Sequence, residues 1–230
     1  MNNIVSLRLQ YFPFPGRAGP IRDTLRIGGL AFEDAHIAPE HFHDLRASGA
    51  FPFGGLPVLD VVTTTGKVTA AQSNAILRFA GRLSGLYPID DPVQALKVDE
   101  VLDVGEDLNQ LFAPSFSEQD IERKMAMRKV LAEQTLPPWA GYLERLLVAN
   151  GSTGFVVGNS LSVADLKLYW VIDMLTNGSL DRIPTTLFDK PTILAWRKNI
   201  TAVREARLAQ AARIAEQVQI KTTPAQPESV

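Results

Sequence analysis

Strand-like patterning in this 230-residue chain stops before residue 72, and beyond Pro88 only helical periodicity remains. Residues 4–12 alternate, with Val5, Leu7, Leu9 and Tyr11 on one face. Pro20 to Gly29 spaces Ile21, Leu25 and Ile27 as a helix would, and Leu30 to Ile37 returns to strand character. Pro39 to Ser48 is short, polar and weakly helical, whereas Leu56 to Val62 is β-branched and pairs across a Thr/Gly turn with Lys67 to Ala70. Ile76, Phe79, Ala80 and Leu83 then keep helix spacing as far as Gly85, a suitable stop. The order is β-α-β-α-β-β-α, and Asp90-Asp91-Pro92 reads as a linker into a capped helix. Helices are predicted near Glu118 to Gln134, Trp139 to Asn150, Ser162 to Thr176 and Pro191 to Ala206. The expected fold class is therefore α+β in a first domain, 1–87, and all-α in a second, 93–220. The polar, Pro-containing residues 221–230 are expected to be disordered.

Composition narrows the chemistry. A formal charge of −2 with interspersed signs offers no block of Lys and Arg to grip a phosphate backbone, so no nucleic-acid partner is expected. The first residues lack a signal peptide's basic flank, and no apolar run approaches the ~20 residues that span a bilayer, so a cytoplasmic location and no membrane partner are expected. Zero cysteines exclude disulfides, iron–sulfur clusters and a cysteine nucleophile; any thiol chemistry must use sulfur brought by a ligand.

Three segments carry candidate chemistry. Tyr11-Phe12-Pro13-Phe14-Pro15-Gly16-Arg17 ends the first strand and runs straight into a helix, whose first turn offers unpaired N–H groups and a positive dipole end beside the phenol. Tyr11 then either donates to an anion held there or caps a core strand. Pro57 stands immediately before an apolar strand, where a residue without an N–H fits either through a cis bond, which turns the Leu56 backbone towards a ligand, or at an edge strand's first position. Gln72-Ser73 begins a helix, with the Ser73 hydroxyl and N–H expected to face outward as a carboxylate site or as an ordinary helix start. Ser162-Val163-Ala164-Asp165 has capping-box spacing and reads as structural. Asp99, Asp103, Glu106 and Asp107 form an acidic face beside the apolar stripe Val101, Val104, Leu108 and Leu111. No metal site is expected, since His41 and His43 point to different sides of a helix.

Taken together, Tyr11-Phe12-Pro13 with Gly16-Arg17, Leu56-Pro57-Val58, Gln72 to Arg78, Gly85-Leu86-Tyr87, Glu106-Asp107-Leu108 and Ser162 to Asp165 resemble, in order and spacing, a cytosolic glutathione transferase of the tyrosine-type classes, pi and sigma. The resemblance covers about residues 4 to 215. It implies a thioredoxin-like glutathione-binding domain, a helical domain supplying much of an electrophile pocket, and a homodimer. It also implies glutathione as co-substrate without a further cofactor, and conjugation of its thiolate to small apolar electrophiles. A ligand-binding protein of the same fold, or a glutathione-dependent peroxidase or isomerase, is the competing expectation.

By that resemblance Tyr11 matches the tyrosine on the glutathione sulfur, and Leu56 beside cis Pro57 matches the backbone partner of the cysteinyl residue. Gln72 and Ser73 match the pair holding the γ-glutamyl group. Arg17 and, from a second subunit, Asp107 complete that end; Arg46 matches the usual lysine near the glycine carboxylate. Phe12, Phe14, Phe112 and Phe116 are candidates for the apolar pocket. The chain departs from the pattern at Gly55, usually Gln, at Phe42 in the glutathione site, usually Trp, and at Pro15, often Arg. No tyrosine occurs over 109–116, where the pi class carries one.

Overall fold

The computed structural model of the protein describes residues 3–222. Strands β1 (Ile4–Tyr11), β2 (Glu33–His36), β3 (Val58–Thr63) and β4 (Gly66–Ala71) form one sheet in the order β2-β1-β3-β4. β1 runs parallel to β2 and antiparallel to β3, which pairs antiparallel with β4. The register sets Leu7 opposite Val61 and Leu9 opposite Leu59, so their side chains share one face. Helices α1 (Gly19–Ile27) and α3 (Ser73–Ser84) cover it with Ile21, Leu25, Ile76 and Leu77, all buried. Val5, predicted inside by the alternation, is 65% exposed, because it lies at the uncovered start of β1. The opposite face is polar: the Asp60 carboxylate accepts from Thr69 and pairs with Lys67. Helix α2 (Phe42–Ala47) lies between β2 and β3 in sequence.

Every later element is helical. Helix α4 (Pro92–Phe112) starts on Pro92, a position where an N–H would go unused, and Asp91 accepts from the Val93 and Gln94 N–H groups. After the short α5 (Pro114–Ser117), the helix predicted over 118–134 forms as α6 (Ile121–Val130), capped by Asp120, and ends in one π-helical turn, Leu131–Thr135. The proline pair 137–138 then begins α7 (Pro137–Ala149). Helix α8 (Val163–Thr176) is buried nearly all round, and α9 (Pro191–Thr222) runs well past its predicted end at Ala206. Of the expected tail 221–230, the first two residues end α9 and the rest lie outside the described residues.

Asp165 pins the helical half together. Wholly buried, it accepts from the N–H and hydroxyl of Ser162, the Val156 N–H and Trp196 Nε1, tying α8 to the preceding loop and to α9. The two halves then join through polar contacts. Arg78 of α3 pairs with Asp99 of α4, Asn74 donates to Leu102 O and Asp103, and the Val163 N–H donates to Leu86 O. A Cβ at Gly81 would lie 2.7 Å from Val163 Cγ1, so α3 approaches α8 too closely there for any larger residue. No helix among the described residues is long and apolar enough to cross a membrane.

Candidate active site

Tyr11 is the last residue of β1, and the following turn folds back over it. Gly16 takes φ +42°, and a Cβ there would overlap the Tyr11 hydroxyl, so only glycine lets the chain pass so near the phenol. The Arg17 N–H then donates to Tyr11 Oη at 3.1 Å. Since that lone pair is the acceptor, the phenol's own proton is left to donate elsewhere. Arg22 holds the turn in place: its guanidinium donates to Phe12 O and Phe14 O, pairs with Asp34 of β2 at 2.9 Å, and lies 5.7 Å from the Tyr11 ring centroid. Burial pushes the Tyr11 phenol above its ordinary value, only partly offset by the Arg17 N–H and the Arg17 and Arg22 charges. The phenol is neutral and protonated at physiological pH.

Between the two halves of the chain, Tyr11 opens onto a cavity of about 610 Å³. Phe14, Arg17, Phe112, Phe116, Lys167 and Trp170 share its lining. Phe112 and Phe116 meet edge to face at 5.9 Å. Phe12 is not part of that lining; its ring stacks on Phe14 at 5.2 Å and leans on Phe42 at 5.4 Å, behind the wall. Trp170 is fixed by its own partners, donating from Nε1 to the buried Asp23 of α1 at 2.6 Å, while Arg204 of α9, also paired with Asp23, lies 5.0 Å from its ring. A Cβ at Gly19 would sit 2.9 Å from the Trp170 ring, so α1 is flush against it.

Arg17 leads from the cavity to the acidic face. Its Nη2 pairs with Glu106 Oε1 at 2.8 Å, and Lys167 Nζ of α8 pairs with Glu106 Oε2 at 3.1 Å. Burial pushes the Glu106 carboxyl up, but the Arg17 hydrogen bond and the Lys167 and Arg17 charges outweigh it and hold the group below its ordinary value. Burial pushes Lys167 down, with Glu106 pulling the other way. Asp99, Asp103 and Glu106 of the acidic face thus serve Arg78, Asn74 and Arg17 across the two halves. Asp107 points elsewhere: it is exposed, and has no ion-pair partner among the described residues.

The remaining candidates lie outside the lining of this cavity. Leu56-Pro57 is cis, and among the described residues the Leu56 N–H and C=O have no protein hydrogen-bond partner. Arg46, exposed on α2, passes 3.3 Å from the Cβ position of Gly54, which places it over the same loop, and Phe42 stacks on Phe51 at 5.8 Å. Gln72 adopts φ 74°, a left-handed conformation rare for a residue with a side chain. Ser73 does not face outward as expected: it is 8% exposed.

Reading the sequence did not single out Lys167, Trp170, Arg22 or Asp23 as site residues. The one local signal was Lys167 itself, a charge inside the apolar run Leu166 to Ile172 apart from it.

Comparison with known proteins bears on this geometry. Residues 106–205 match the family model "Glutathione S-transferase, C-terminal domain". The chain is 34% identical over 199 residues to "Glutathione S-transferase P 1" of Xenopus laevis, covering 84% of this chain and 86% of that one. It is 33% identical over 178 residues to "Glutathione S-transferase P" of Homo sapiens, covering 76% and 80%. Among solved structures it is similar to a glutathione S-transferase of Necator americanus described as monomeric, with TM-score 0.70 and 27% identity, covering 97% of this chain and all of that one.

Proposed function

The chain belongs to the glutathione transferase family, and from that premise we propose that it joins the thiolate of glutathione to small apolar electrophiles, with Tyr11 as the catalytic donor to sulfur. The observation that carries this reading is the Tyr11 hydroxyl itself, which accepts from Arg17 N–H and keeps its proton for a ligand at the mouth of an apolar cavity. A free thiol with pKa near ~8.5 is only about 3% ionised at pH 7. A neutral donor aimed at sulfur favours the anion without competing for its charge. The cavity beside it brings the electrophile within reach, which supplies the proximity term.

In this reading glutathione lies along the first half of the chain. Its cysteinyl backbone pairs with the unpartnered N–H and C=O of Leu56 next to Pro57, and its γ-glutamyl end meets Gln72, Ser73 and Arg17. Arg46 and Phe42 serve the glycine end. Phe14, Phe112 and Phe116 form the electrophile's apolar wall. A homodimer, with Asp107 of a second copy finishing the γ-glutamyl site, is supported by the exposure and free charge of Asp107; a cytoplasmic location completes the reading.

Glutathione is to be titrated into the protein across a range of pH while the thiolate's ultraviolet absorbance is followed. Saturable binding with the thiol ionising well below its free value is the expected result. Absence of binding, or binding without that shift, overturns the assignment, and sedimentation of the same samples tests the dimer.

A further inference from the structure

Trp170 stands between two spaces. With Phe14 it lines both the cavity of about 610 Å³ beside Tyr11 and a second, outer cleft of about 280 Å³. The outer cleft is charged, carrying Arg22, Arg26, Asp34, Asp23 and Arg204. The indole is clasped where the two meet. Its Nε1 donates to Asp23 at 2.6 Å, Arg204 lies 5.0 Å from its ring, and a Cβ at Gly19 would sit 2.9 Å from the ring on the side of α1. Asp23 is 2% exposed, and Arg204 Nη2 also donates to it, at 3.1 Å. Stability alone does not call for such a carboxylate, since apolar groups of similar volume can replace a buried ion pair at little cost. What a charged acceptor adds is direction: a short bond to the indole N–H fixes how the ring is turned. The cleft behind gives the ring somewhere to go once that bond is lost.

We propose that Asp23 is a positioning residue for the conjugation reaction: by anchoring the indole N–H it keeps Trp170 as a fixed partition, and that partition limits the size of electrophile the inner cavity admits. The inference rests on the conjugation reading above and adds to it the element that sets the size limit. Asp23 lies outside the lining of the inner cavity, so it acts through Trp170. The reaction that reads the limit is displacement at a benzylic carbon. Sulfur forms one bond to that carbon, the carbon–chlorine bond breaks, chloride leaves with the bonding pair, and the thiol's proton passes to solvent.

The test compares benzyl chloride with the bulkier naphthylmethyl chloride at saturating glutathione. Two double variants carry it. Asp23→Leu with Arg204→Met removes both charges and the indole's acceptor; Asp23→Asn with Arg204→Met removes the same charges but leaves an amide oxygen for the indole. In the first, the naphthyl-to-benzyl ratio of kcat/KM is expected to rise on the order of ten-fold, the scale on which pocket size discriminates substrates, through a lower KM for the naphthyl compound. In the second, most of that rise is expected to disappear. A ratio unmoved in the first variant, even with Tm lowered, overturns the inference, and so does an equal rise in both. If the first variant does not fold, Trp170→Phe, whose ring has no N–H to anchor, is expected to show the rise, and an unmoved ratio there overturns the inference. If the wild type turns over neither chloride, the conjugation reading fails on its own. Fluorine NMR of protein carrying fluorotryptophan then decides whether Asp23 holds the ring, the Trp170 signal being assigned by its loss in Trp170→Phe. Faster ring motion in the leucine variant than in the asparagine variant supports the inference, and equal motion overturns it.

Discussion

Tyr11→Phe isolates one oxygen atom, and its consequences divide into two that are measured separately. The ring stays in the core beside Leu9 and Ile21, so packing is kept. Two hydrogen bonds go: the one accepted from Arg17 N–H and the one offered to the ligand. Leaving the part-buried Arg17 N–H without an acceptor costs about 1 kcal/mol, or about 2–4 °C in Tm for a chain of this size. A hydrogen bond to an ionised group contributes ~1.5–3 kcal/mol, and at ~1.36 kcal/mol per unit its loss raises the bound thiol's pKa by about one to two units. The assay is kcat/KM for a neutral electrophile at saturating glutathione across pH. Below both pKa values the variant is expected to be about ten- to a hundred-fold slower. The gap closes as pH rises, because sulfur is then ionised in both proteins. A constant ratio of rates across pH, with the inflection unmoved, would refute the argument. It would mean that the hydroxyl acts by positioning the turn rather than by favouring the thiolate.

Gly16→Ala is expected to disable the same donor from the other side: the new methyl overlaps the Tyr11 hydroxyl at a backbone of φ +42°, so activity falls with the phenol intact and stability drops by ~1–3 kcal/mol, checked by kinetics beside thermal unfolding. Asp165→Ala leaves four buried donors without their acceptor and is expected to cost at least about 3 kcal/mol in urea unfolding at neutral pH. The wild-type carboxyl at that position adds a pH signature. Burial pushes it up to about 6 from 3.8, so between those values the folded state holds the proton more tightly than the unfolded state. The contribution of this group is fully present below pH ~4 and is lost as pH rises through 6, by roughly 3 kcal/mol. A destabilisation by Asp165→Ala that does not vary over that window would remove the assignment.

What could be read along the chain was what depends on near neighbours. Alternation placed β1, the proline-rich turn set its end near Phe12, one residue beyond the observed Tyr11, and Ser162 with Asp165 announced α8. The π turn that ends the helix predicted over 118–134 was hidden, because helix spacing in a sequence does not distinguish such a turn from an α-helical one. For the site, Tyr11, Phe14, Arg17, Phe112 and Phe116 were chosen from separate segments, and the structure brings them to one cavity. The pairs that hold it were not legible. Asp23 finds Trp170 and Arg204 across 147 and 181 residues, and Arg17 finds Glu106 across 89. Charge partners so far apart leave no periodic trace, and Ser73 was misjudged because the cover over a helix's first turn comes from other elements.

The cavity has two owners with different freedoms. The phenol, Gly16 and Arg17 come from the first seventeen residues, whereas much of the far wall comes from the end of α4 and from α8, which contribute nothing to the sheet. Exchanges at Phe112, Phe116, Val171 or Met174 can therefore reshape that wall while the end formed by Tyr11, Gly16 and Arg17 is inherited unchanged. Glu106 is where that independence stops. Because it clasps Arg17 from the first half and Lys167 from the second, a lineage that altered it would disturb both ends of the chamber in a single step.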